Sequence, residues 1–163
     1  MLYRRGQQDV SLADLVKIDI NNENTNASTK DDGHCGNLSG IFSDHGHEKL
    51  WTNQGPDTWI ITDFKGTEQT FVGIGIRSAN DDPAEDPKTV RVSVPKEEGS
   101  DEWVEVMTIK PEFTHERNEL KKFVIPETTT KKMRFDFNNT DMSHGQRIMQ
   151  VGGLAFFGDK NAL

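Results

Sequence analysis

The segment KKMRFDF alternates strictly, with Met133, Phe135 and Phe137 on one side and Lys132, Arg134 and Asp136 on the other. TVRVSV repeats the pattern, setting Val90, Val92 and Val94 against Thr89, Arg91 and Ser93, and in LVKIDI the residues Val16, Ile18 and Ile20 share a face. Successive side chains of a strand point to opposite faces, so strict alternation marks strands buried on one face only. TWIITDF, FVGIGIRSA, EWVEVMTI, KKFVIP and RIMQVGGLAFFG are less regular but rich in β-branched and aromatic residues, which suit a pleated surface. Slipping KKMRFDF by one residue would turn three large apolar side chains to water at ~1.5–3 kcal/mol each, so its register is firmly set.

Turn signals separate these runs at Gly55-Pro56, Lys65-Gly66, Asp82-Pro83, Asp86-Pro87, Gly99-Ser100 and Ile125-Pro126. No segment sustains a helical period. About eight short strands predict an all-β fold, an antiparallel jelly-roll β-sandwich. Residues 21–40 are polar and almost free of large apolar side chains, and they read as a mobile insertion or as a functional loop. The closing DKNAL reads as a frayed tail.

Composition narrows the function. A chain of 163 residues suits a single domain spanning 1–163. Hydrophobic residues make up 33%, charged residues 28%, and the mean hydropathy is −0.73, polar but short of a disordered chain. A net charge of −8 opposes binding to nucleic acid or to anionic membranes. No apolar run approaches the ~18 residues of a membrane span, and the N-terminus lacks the apolar core of a secretion signal. Cys35 is the only cysteine, which excludes an internal disulfide. These features predict an intracellular, cytoplasmic setting. The sequons at Asn26, Asn37 and Asn138 then read as products of an Asn- and Thr-rich composition.

The order of motifs is more specific than any one of them. WTNQGPDTWIITDF is followed by FVGIGIRSANDDPAEDPKTVRVSV, EWVEVMTI and QVGGLAFFG. This succession resembles the F5/8 type C (discoidin-like) domains of the galactose-binding-like fold, over residues 43–158. The matching positions are Trp51, then Trp59 with Ile60, Asp63 and Phe64, then Ser78 to Pro87, Val92 with Ser93, Trp103 with Val104, and Phe156 to Gly158. The chain also resembles the small intracellular members of that group. It departs from the pattern where DHGHE, residues 44–48, replaces the usual Asp-Gly before the first Trp, and where the clamping disulfide of secreted members is absent.

The resemblance implies an eight-stranded jelly roll whose loops at one end carry ligands. It makes Trp59 a core anchor and Trp51 a brace for the neighbouring loop, with sugar stacking on Trp51 as the alternative. It also implies a structural calcium ion before the first Trp, for which Asp44 and Glu48 would supply carboxylates and the backbone further oxygens.

Other candidate chemistry gathers at the same loops. His34, Cys35, His45, His47 and Glu48 include zinc-type donors, but their spacing matches no standard finger, and solvated loop histidines fit as well. Asp81, Asp82, Glu85 and Asp86 form an acidic loop that reads as a cation or partner site or as a solvated face. His45, His47, Trp51 and Asn53, with Arg77 at the edge and His144 before the last strand, form a candidate ligand rim. An Arg and a His beside an exposed aromatic suit sugar hydroxyls or a peptide carboxylate. No nucleophile elbow, zinc-protease helix motif or phosphate loop is present. The sequence therefore predicts a non-catalytic binding module, first an intracellular protein-interaction adaptor with a protein partner, and alternatively a galactose-type carbohydrate-binding module with a glycan partner.

Overall fold

The alternation in the sequence builds two facing antiparallel sheets. The computed structural model describes residues 10–30, 38–44, 49–52, 57–139 and 148–162. Among these residues the strands run β1 (Leu15–Ile18), β2 (Asn26–Thr29), β3 (Leu50–Thr52), β4 (Asp57–Asp63), β5 (Gln69–Arg77), β6 (Thr89–Pro95), β7 (Trp103–Ile109), β8 (Leu120–Thr130), β9 (Lys132–Asn138), β10 (Met149–Val151) and β11 (Gly153–Asp159). One sheet has the order β2-β4-β9-β6-β7, the other β1-β11-β5-β8, and β3 pairs with β10 as a separate ribbon. The count exceeds the expected eight because four short strands, β1, β2, β3 and β10, add to seven long ones. No helix among the described residues is long and apolar enough to cross a membrane.

The core lies between the sheets. Met133, Phe135 and Phe137 are at most 1% exposed, as their parity requires, and Val90 and Val92 are fully buried. Phe156 of β11 is the hub: it meets Phe135 of the opposite sheet at 5.9 Å, Phe64 edge-on at 5.6 Å, and Phe71 at 5.1 Å between ring centroids. Such tilted and edge-to-face pairs add ~0.5–1.5 kcal/mol beyond their burial.

Several expectations are corrected. Trp59 does not anchor the core: in β4 the inward residues are Thr58, Ile60 and Thr62, which leaves Trp59 half-buried on the outer face. There the Arg134 guanidinium lies 5.1 Å from its ring and 5.7 Å from that of Trp103. The inward threonines are satisfied, since Thr62 Oγ1 donates to the Met133 carbonyl (3.0 Å) and Thr58 shares a hydrogen bond with Thr29 (3.3 Å). The described parts of residues 21–40, 21–30 and 38–40, are not structureless. They contain β2, which pairs with β4, and a single 3-10 turn at Leu38–Gly40 whose Leu38 packs on the core.

Ile125-Pro126 is no turn, because β8 runs through it. The register passes from Thr128↔Phe71 to Val124↔Gly73, so a bulge absorbs the proline that cannot donate to the ladder. A second irregularity, between Val92 and Ser93, lies in the pairing with β7, where Val106 is the extra residue; against β9 the register is unbroken, so Ser93 keeps the outer face opposite Arg134, covered there to 3% exposure. Val16 is 49% exposed because edge strand β1 sets it opposite Gly158, which offers no side chain to pack on. The chain end is tied down as well, since Lys160 N–H donates to the Asp14 carbonyl at 2.9 Å.

Candidate functional site

The β3–β10 ribbon closes one end of the sandwich, with Leu50 opposite Val151, Trp51 opposite Gln150 and Thr52 opposite Met149. Period two sorts these residues cleanly. Leu50, Thr52, Met149 and Val151 are all 0% exposed and face the core, while Trp51 and Gln150 share the other face. Trp51 remains 37% exposed, yet Gln150 is only 4% exposed because the acidic loop lies over it.

That loop is built rather than loose. Asp82 caps a 3-10 turn at Pro83–Glu85 through its Oδ1, which accepts from the Ala84 N–H at 2.9 Å. Asp86 is buried and forked to Arg117, with Nη1 to Oδ1 at 2.9 Å and Nη2 to Oδ2 at 2.8 Å. Arg117 also donates to the Asp81 carbonyl (3.1 Å) and the Thr114 carbonyl (2.8 Å), clamping both ends of the loop. Burial pushes the Asp86 carboxyl up, against the opposing pull of the Arg117 hydrogen bonds, and those bonds in turn raise the guanidinium above its ordinary range.

Glu85, 8% exposed, accepts a hydrogen bond from Gln150 Nε2. Burial pushes its carboxyl above the ordinary 4.5; the Gln150 hydrogen bond lowers it, the charges of Asp82 and Asp81 raise it, and Lys49 lowers it. Lys49 Nζ donates to Asn80 Oδ1 at 2.8 Å and lies 3.5 Å from Asp81 Oδ2. Together Lys49, Trp51, Asp81, Glu85, Ile148 and Gln150 line a hollow of about 220 Å³. This is below the ~300 Å³ at which drug-sized pockets begin, so it has the scale of a single ring.

Of the residues expected at the rim, the structure brings together Trp51 and Asp81 and sets Asp82 beside them as the turn's cap. Arg77 is occupied elsewhere: its Nη1 donates to the Asn118 carbonyl at 2.7 Å. His45, His47, Glu48, Asn53 and His144 lie outside the described residues, as do His34 and Cys35. Asp44, expected on calcium, holds the Lys17 ammonium at 2.7 Å. Among the described residues no group of three His, Cys, Asp or Glu side chains is placed to hold a metal ion. The sequence reading missed Glu85 as the buried acid, Gln150 as its partner and Arg117 as the clamp. The signal for Arg117 was indirect: a buried carboxylate needs a cation, but spacing did not say which.

Larger hollows lie elsewhere. One of about 530 Å³, at the opposite end, is lined by Gly66, Glu98, Thr129 and Lys131. Its charges pair with one another, as in Lys131–Glu98 at 2.8 Å and Lys132–Asp63 at 3.8 Å. Another, of about 560 Å³, lies on the outer sheet face beside Trp59, Arg91 and Asp136. Neither has an aromatic as exposed as Trp51, which is the only one of the three tryptophans among the exposed large apolar residues.

The same sandwich is found in solved carbohydrate-binding modules. The CBM32-5 module of CpGH89 from Clostridium perfringens, in complex with GalNAc-β-1,3-galactose, superposes with a TM-score of 0.64 and 11% identity over 83% of this chain and 96% of that one. The family 32 CBM of C. perfringens NanJ, in complex with galactose, gives 0.62 and 9% identity over 83% and 95%. The CBM32 of AlyQ, in complex with 4,5-unsaturated mannuronic acid, gives 0.60 and 16% identity over 81% and 93%. No protein-family model and no curated protein matches the sequence. At these identities the likeness shows the fold: this chain is an antiparallel, galactose-binding-like β-sandwich. It does not extend to the narrower resemblance to small intracellular members.

Proposed function

We propose that this chain is a non-catalytic carbohydrate-binding module that seats a sugar ring on Trp51 at the rim of the sandwich. One observation carries the reading: Trp51 stays 37% exposed beside a small hollow lined by hydrogen-bonding groups. An apolar face of a sugar ring stacks on an indole, while its hydroxyls need donors and acceptors around the ring's edge. Lys49 supplies a donor and Asp81, Glu85 and Gln150 supply acceptors. The solved complexes of three fold neighbours with a disaccharide, galactose and an unsaturated uronic acid support the reading.

The protein-adaptor reading takes second place. Protein interfaces are built around an apolar centre, and the described residues expose few large apolar side chains: Leu12, Val16 and Val104 besides Trp51. A glycan array with the wild-type chain tests the proposal. Reproducible retention on a subset of glycans, competed by free sugar, is the expected outcome. Binding to none of them, with a stoichiometric protein recovered by pull-down and not displaced by sugars, would replace this reading with the adaptor.

A further inference from the structure

The chemistry around Trp51 is biased towards one class of sugar. Asp81, Asp82 and Glu85 stand on one short loop at the rim, with Lys49 as the cation among them. The balance is two negative charges, and Lys49 is held at Asn80 and Asp81 rather than at Glu85. Asp81 is 65% exposed, so its carboxylate is open to a ligand.

A second feature is independent of these charges. Gln150 lines the hollow at 4% exposure, and its Oε1 has no hydrogen-bond partner. Its Nε2 is committed to Glu85, which fixes the amide so that the unsatisfied atom is an acceptor. A buried acceptor without a donor is costly and calls for one from outside. The hollow is thus short of donors and rich in acceptors, and its apolar wall is an indole that attracts cations. A neutral hexose meets part of this need with its hydroxyls. An ammonium substituent brings three donors and a positive charge to this acceptor-rich rim, where the exposed Asp81 carboxylate is open to it.

We infer that the Trp51 rim selects hexosamines with a free, protonated amine over their N-acetylated and neutral counterparts. The inference rests on the carbohydrate-binding reading above and specifies its ligand class. The chain's charge of −8 favours the encounter with a cationic ligand as well.

The test is calorimetric titration of the full chain at pH 7 and low ionic strength with glucosamine, galactosamine, their N-acetyl forms, glucose and galactose. The amines are expected to bind roughly five- to tenfold more tightly than the matching neutral sugars. That ratio shrinks in high salt, which screens exposed charge pairs. Asp81→Asn, at an exposed position that leaves the core intact, lowers the ratio, and Lys49→Met raises it. Neutral or N-acetylated sugars binding as tightly as the amines would overturn the inference and leave the carbohydrate-binding reading standing. Failure of all six sugars to bind would overturn the inference, and the glycan array would then decide the carbohydrate-binding reading.

Discussion

Trp51 stands directly opposite Gln150 in the β3–β10 ribbon, so both side chains emerge on the face turned away from the core. Their neighbours Leu50 and Thr52 emerge on the other face at 0% exposure. A three-residue strand thereby separates stability from recognition. Leu50→Ala should cost ~2–5 kcal/mol in chemical denaturation, the range for emptying a packed site. Trp51→Ala should cost less than ~1 kcal/mol, because a surface substitution opens no cavity. Equal losses for the two would mean that Trp51 is a structural brace after all.

The Arg117–Asp86 fork holds the acidic loop over Gln150. Removing one partner of a buried pair leaves a charge without compensation, typically ~3–5 kcal/mol. Arg117→Met should lose stability on that scale. Its amide exchange should rise through residues 79–86, because the Asp81 carbonyl loses the Arg117 donor and the Ala79 carbonyl keeps only the Asn118 N–H. A loss below ~1 kcal/mol would show the clamp to be dispensable.

Glu85 gives stability a defined pH dependence. Burial raises its carboxyl above the ordinary 4.5, so the folded chain holds this proton more tightly than the unfolded one. Its contribution is fully present below about 4.5 and is lost as pH rises through the folded value. Glu85→Gln removes that slope, so the variant should gain on the wild type as pH rises from 4 towards 7, read from denaturation midpoints. Asp14 has the opposite sign: hydrogen bonds from the Ser11 backbone and hydroxyl lower it, and its contribution is lost as pH falls below the ordinary range. A parallel pH profile for Glu85→Gln and wild type would contradict the assignment.

Gly152 lies at the step from β10 to β11, where a Cβ would sit 2.1 Å from the Ser78 carbonyl oxygen. Backbone cannot yield as a side chain does. Gly152→Ala should therefore cost ~3 kcal/mol or more and shift the rim at Ser78 and Ala79. A melting temperature equal to wild type would show that this junction relaxes freely.

Where one face of a strand is wholly apolar, the sequence was legible. KKMRFDF gave Met133, Phe135 and Phe137 as core without ambiguity, and all three are buried. TWIITDF was not, because Trp59, Ile60 and Ile61 put apolar side chains on both faces and the inward positions at Thr58 and Thr62 are polar. Their hydroxyls find partners only across the sheet, which local pattern does not reveal. β2 was hidden for a similar reason: NAST has no apolar face of its own and is a strand through its ladder to β4. At the rim, the neighbourhood of Trp51 and the acidic loop was visible in the motif order. The division of labour within the loop was not. Asp81 faces water, Asp82 caps a turn and Glu85 is buried, and that depends on Arg117, 31 residues beyond Asp86.

The most direct measurement follows backbone amide shifts during titration with galactose and galactosamine, for wild type and Trp51→Ala. Saturable shifts should cluster at residues 49–52, 81–86 and 148–151, and should vanish in the folded Trp51→Ala chain. Shifts confined to the far end, at residues 64–68 and 96–102, or a response untouched by removing the indole, would contradict the claim that this rim binds sugar.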